Sequence, residues 1–237
     1  MGVGILLSVS TLGQAQPRVS TPVEFEVASV KPSPPGIEGG SFQFLPGGRL
    51  VARNATLDWM MRVAYRIHNY QISGGPHWIY VKPFNIEAVP PRGVTEDEAR
   101  LMLRSLLARR FKLRVHMETQ ERPVYRLVVA RQGAKLRVAQ TERPCGGRSG
   151  DGHVEYWSCP IARLADFLSG ELDRTVFDMT GLKGTFDFNL QWTPDPSEPI
   201  QESIFTALQQ QLGLQLKPQR GPVEILTIQH VEPPTPD

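Results

Sequence analysis

Beyond its first residues the chain has no apolar stretch near the roughly 20 residues that cross a bilayer, so no membrane span of its own is expected. Neither sign of charge dominates: 26 Lys and Arg face 24 Asp and Glu, a net charge of +2. A dedicated nucleic-acid binder needs a one-sided basic surface, and none is expected as a partner. The five histidines, His68, His77, His116, His153 and His230, include no pair at the i, i+4 spacing of a helical zinc site. No serine sits in a nucleophile elbow, and no glycine run leads into the Lys-Ser/Thr that cradles phosphate. No catalytic residue, metal or cofactor is therefore assigned. What remains is 40% hydrophobic and 21% charged, the composition of a globular protein, in 237 residues that suit one large or two ordinary domains.

The strongest positive signal is a repeat. Pro83-Phe84-Asn85-Ile86-Glu87-Ala88, a helical stretch ending in Arg110-Phe111-Lys112-Leu113, and Arg122-Pro123-Val124-Tyr125 form one unit. About a hundred residues later come Thr185-Phe186-Asp187-Phe188-Asn189-Leu190, a helix ending in Gln211-Leu212-Gly213-Leu214, and Gly221-Pro222-Val223-Glu224. A duplicated unit buries its apolar face against a neighbour, so the repeat fixes architecture before activity. The predicted fold is α+β, with two similar lobes of antiparallel sheet and helices on one face, arising from an internal duplication. The expected divisions are a signal peptide at 1–15, a first lobe at 16–131, a Gly-rich inter-lobe loop at 132–152 and a second lobe at 153–237.

Periodicity fills in the lobes. Phe25 to Val30 alternates as a strand, and Ser41 to Leu45 and Arg49 to Arg53 read as a hairpin around Pro46-Gly47-Gly48. Thr56 offers an N-cap to a helix with Leu57, Met60, Met61 and Ala64 on one face; the methionines read as core, and the Asn54-Ala55-Thr56 sequon as a helix start. Thr95-Glu96-Asp97-Glu98 is a capping box. Lys112–Gln120 with Val124–Ala130, and Leu214–Lys217 with Val223–Val231, are each expected to fold as a hairpin. So are Thr175–Met179 and Thr185–Trp192, with a helix over Glu202–Leu212. Asp178, Asp187, Glu87 and Glu118 are expected on solvent faces.

The uncharged run Val3 to Val9 followed by Gly13-Gln14-Ala15 has the small-x-small ending of a signal-peptidase site, which predicts a mature start at Gln16 and a periplasmic or secreted location, with a disordered apolar tail as the alternative. Cys145 and Cys159 then favour a disulfide across the glycine loop, with free thiols as the alternative.

Phe25-Glu26-Val27-Ala28-Ser29-Val30-Lys31-Pro32, Tyr70-Gln71-Ile72-Ser73-Gly74-Gly75-Pro76-His77-Trp78 and Thr180-Gly181-Leu182-Lys183-Gly184-Thr185-Phe186-Asp187-Phe188 occur in an order that resembles an uncharacterised family of exported bacterial proteins, a domain of unknown function abundant as paralogues in soil Acidobacteria. Some members resemble fusions to a membrane metallopeptidase of the antibiotic-sensing antirepressor type, which implies an extracytoplasmic sensing or interaction role in those cases. The resemblance brings no catalytic residues.

One segment combines aromatic and hydrogen-bonding groups around glycines. Tyr70, Ser73, His77 and Trp78 are the candidate binding residues, where a ligand or another backbone could approach closely; the alternative is that Trp78 packs between lobes. The expected function is a non-enzymatic binding module of the cell envelope, its partner an envelope protein, a peptide or a glycan. The alternatives are a hydrolase with a carboxylate or histidine site at the lobe interface, and a regulatory domain acting with a membrane metallopeptidase.

Overall fold

The computed structural model describes residues 24–140, 143–193 and 203–234. The signal peptide expected at 1–15 and the start at Gln16 lie outside the described residues. The first half runs β1 (Val27–Pro32), β2 (Ser41–Phe44), β3 (Leu50–Thr56), α1 (Leu57–Tyr65), β4 (Ile72–Ser73), α2 (Trp78–Val81), β5 (Pro83–Val89), α3 (Glu96–Arg110) and β6 (Arg114–Val129). The second runs β7 (Arg137–Val138), β8 (Gly146–Gly150), β9 (His153–Cys159), α4 (Ile161–Glu171), β10 (Val176–Asp178), β11 (Phe186–Gln191), α5 (Ile204–Ala207) with a wider-wound continuation at Leu208–Leu212, and β12 (Leu214–His230). The fold is α+β, built on antiparallel sheets.

The halves share one strand order. The first sheet reads β1-β5-β3-β2 and the second β7-β11-β9-β8, so in each the fourth strand lies between the first and the third. The third sheet, β10-β6-β12-β4, takes two strands from each half: β6 and β12 run antiparallel along their whole lengths, and β10 and β4 flank them in parallel. Local chemistry supports these elements. At the start of α3 the Thr95 hydroxyl accepts the Glu98 N–H at 3.3 Å while the Glu98 carboxylate accepts the Thr95 N–H at 2.9 Å. Glu96, Asp97 and Glu98 open that helix and Arg109 and Arg110 close it, complementing its dipole. The Thr56 hydroxyl instead donates to the Asp58 carboxylate, so α1 starts without the expected hydroxyl cap on its backbone.

The sequence misplaces three features. The two hairpins expected at 112–130 and 214–231 are single strands, β6 and β12, that pair with each other. Pro123, Pro218 and Pro222 fall in the expected turns of those hairpins, yet none costs a ladder bond. Tyr125 donates its N–H to the Thr175 carbonyl of the flanking segment, at 2.9 Å, so every second residue from there, Pro123 included, points its amide position away from β12. Pro222 and Pro218 oppose Glu121 and Tyr125 and face outward likewise. Proline is tolerated where no amide is needed, and it blunts an open edge.

The second correction concerns the glycine loop. Gly146–Gly150 form β8, paired along β9. The glycines make room: a Cβ on Gly146 would stand 2.6 Å from Trp157 Nε1, and one on Gly147 would enter the Tyr156 ring. Third, Thr175–Met179 does not form a hairpin with Thr185–Trp192; β10 pairs with β6 and β11 with β9.

Each half carries a core that the other helps to fill, Leu226 and Ile228 of β12 packing into the first. In the first, the Phe84 and Phe111 rings meet edge to face at 5.1 Å, and Trp78 stacks on Phe111 at 6.5 Å. In the second, Phe186, Phe188, Leu190, Leu208 and Leu212 pack with Leu127 of β6, a residue from the first half. A small third cluster, Val124, Val223 and Ile225 with Tyr70 and Phe177, lies where the halves meet.

Candidate functional site

The seam begins at the turn after α1. Arg66 ends that helix in the left-handed region, and His68 and Gln71 close a short turn by a reciprocal cap, with the His68 N–H donating to Gln71 Oε1 at 3.0 Å. Gln71 Nε2 then donates to the Glu224 carbonyl of β12 at 2.9 Å, docking the turn on the central sheet. Gly74 and Gly75 follow with φ of 78° and 84°, and a Cβ on Gly75 would lie 2.9 Å from Ile228 Cδ1. These glycines admit β12 rather than a ligand.

Tyr70 is thereby carried across to the second half. Its hydroxyl lies 3.1 Å from Thr175 Oγ1, and its ring stacks on His68 at 5.5 Å with 7° between planes. His68 Nε2 meets Asp166 Oδ1 of α4 at 3.1 Å, and Arg163 donates to the other carboxylate oxygen at 2.9 Å. Gly170, one turn on, is where the His68 ring lies against α4: a Cβ there would stand 3.2 Å from Nδ1. The hydrogen bond from His68, with smaller help from its charge and from Arg163, holds the Asp166 carboxyl below the usual range against an opposing effect of burial. Burial pushes the Tyr70 phenol up.

Beside this contact lies a cavity of about 220 Å³ lined by Tyr70, Arg122, Pro123, Asp173, Arg174, Thr175, Val223 and Ile225. Two larger hollows, about 650 and 510 Å³, open on the second half. Gln132, Gln209, Gln210 and Lys135 wall the first, and Arg137, Glu155 and Asn189 are among the walls of the second. Neither joins the two halves as the seam cavity does. Among the described residues no three His, Cys, Asp or Glu side chains converge as a metal site requires.

The four predicted binding residues are not brought to one place. Tyr70 joins the seam cluster, whereas Trp78 is half-buried against Phe84 and Phe111 in the first core. Ser73 is a half-buried residue of β4 opposite Thr227, and His77 is exposed. Cys145 and Cys159 are bonded, with Cα atoms 4.6 Å apart, tying the start of β8 to the end of β9. Sequence reading missed His68, Asp166, Arg122, Arg174 and Thr175, which come from four separate stretches, with Arg174 and Thr175 adjacent, and share no local pattern.

Residues 58–231, which span this whole arrangement, match the family described as protein of unknown function (DUF3738). The chain belongs to that family. The match begins at Asp58 in α1 and ends just after β12, so the seam of this DUF3738 protein lies wholly inside it. No curated protein and no solved structure matches the chain.

Proposed function

We propose that this protein is a non-enzymatic binding module that acts outside the cytoplasm and recognises its ligand at the seam. The observation that carries this reading is the cavity itself, whose walls are contributed by both halves and centre on Tyr70, an aromatic ring with a polar tip. An internal duplication would explain the shared strand order, and would make the seam the place where two copies of one unit face each other. Export is supported by the apolar run ahead of Gln16 and by the joined Cys145 and Cys159. Envelope extract passed over the mature protein and over Tyr70→Ala tests it. The reading expects a captured peptide, glycan or envelope protein that the variant loses while melting at nearly the same temperature. A folded variant that captures as well as the parent overturns it.

One observation favours a second reading. The His68–Asp166 pair sits at the interface of the halves, where a hydrolase would place an acid/base couple. Against this, His68 is engaged by Asp166 at one nitrogen and by Tyr70 across its ring. Hydrolysis of an ester or peptide panel, lost in Asp166→Asn, would decide for the enzyme.

A further inference from the structure

We propose that the seam cavity binds a monocarboxylate carried on a small apolar group. The proposal rests on the seam being the recognition site. It adds the chemical class of the ligand.

The floor is apolar. Val223 and Ile225 are 4% and 2% exposed, and they form a cluster with Val124 that is separate from both main cores. Pro123 and the Tyr70 ring complete that wall, so an apolar group entering the cavity would replace water against hydrocarbon. The volume limits its size. About 220 Å³ falls below the roughly 300–1,000 Å³ of drug-sized sites, which suits one side chain or a short acyl group and excludes a nucleotide.

The rim supplies charge. Arg122 gives Nε and Nη2 to one neutral acceptor, Gln120 Oε1, at 3.0 and 2.5 Å. The Arg174 guanidinium lies 4.9 Å from the centre of the Tyr125 ring. Neither arginine has an ion-pair partner among the described residues. Asp173 also lines the cavity, so two guanidiniums and one carboxylate leave a single net positive charge. That balance favours a monoanion over a phosphate dianion, and a guanidinium fork matches the two oxygens of a carboxylate. The Tyr70 and Thr175 hydroxyls bond each other and keep further hydrogen-bonding capacity for a neutral polar group beside it.

The full-length protein is titrated with N-acetyl-leucine, with N-acetyl-leucinamide and with the free-acid peptide acetyl-Ala-Ala-Leu, and followed by calorimetry and backbone amide NMR. The acid should shift the amides of Thr175, Val223 and Ile225 and bind about tenfold or more tightly than the amide. Arg122→Gln and Arg174→Gln should each weaken the acid and leave the amide unchanged. Tighter binding of the peptide points to the C-terminus of a polypeptide as the source of the carboxylate, and equal or weaker binding to a free small acid; both support the class. Equal affinity for acid and amide at the seam overturns the carboxylate assignment and leaves the seam as the recognition site. Shifts confined to another face overturn both, and no shift with any of the three probes overturns the carboxylate assignment.

Discussion

Asn54 donates its backbone N–H to Asn85 Oδ1 at 2.9 Å, and Ser158 does the same to Asp187 Oδ1 at 2.8 Å. In each half a residue of the third strand, at φ 50° or 51°, sits where the ladder shifts register and is held by a side chain of the fourth. Left-handed backbone is unfavourable for a residue with a Cβ, so the acceptor stabilises an irregularity that bends the strand. Asn85→Ala should therefore cost about 1–3 kcal/mol, because the Asn54 amide and the Ser33 hydroxyl, which donates to the same oxygen at 3.0 Å, both lose their acceptor. Denaturant unfolding measures this; an unchanged midpoint would show that the bulge holds itself.

Gly147 should resist substitution although it was expected in a flexible loop. Gly147→Ala drives a methyl into the Tyr156 ring and should destabilise by about 1–3 kcal/mol. Gly93→Ala is the control for an added Cβ without a clash, since Gly93, like Gly147, is outside the positive-φ region and its added Cβ would meet nothing closer than 3.9 Å. The melting temperature of Gly147→Ala should fall further, and Tyr156→Ala should relieve part of that fall.

Breaking the Cys145–Cys159 link should loosen β8 from β9 without dissolving the first core. The link closes a loop with a sequence separation of 14 residues, which chain-entropy reasoning values at about 3 kcal/mol. The Cys145→Ser, Cys159→Ser double variant should lose roughly that much stability, with amide exchange rising first in Gly146–Gly150. Thiol labelling of the parent protein, denatured without reductant, should find no free thiol.

Acid should erase the contribution of Asp166. Its carboxyl is depressed in the folded state, so the stability it confers is complete above its unfolded value of 3.8 and is lost as pH falls through the lower folded value. The side chain is 53% exposed, which keeps the effect to about 1 kcal/mol or less. Unfolding free energies of the parent and Asp166→Asn should differ near neutrality and converge in strong acid. A gap that persists there would assign the loss to packing.

The amino-acid sequence by itself determined what is local. The capping box at Thr95 and Glu98, the apolar stripe of Leu57, Met60, Met61 and Ala64, and the Ser41–Arg53 hairpin are each written within a few neighbouring residues. Burial of Phe84, Phe111, Phe186 and Leu212 followed from the repeated pattern. Only the tertiary structure decided where that pattern was ambiguous. A proline breaks a strand when its missing amide faces a partner and is harmless when it faces outward, so the meaning of Pro123 and Pro222 was set by pairing with a strand about a hundred residues away. The glycines of β8 marked the space taken by Tyr156 and Trp157, not slackness. The seam joins Tyr70 to Thr175 and His68 to Asp166 across similar distances along the sequence. Periodicity reports which face of an element is buried; which faces then meet is settled by the pairing of β6 with β12, and with it the one place where Arg122, Arg174 and the Val223–Ile225 floor come together.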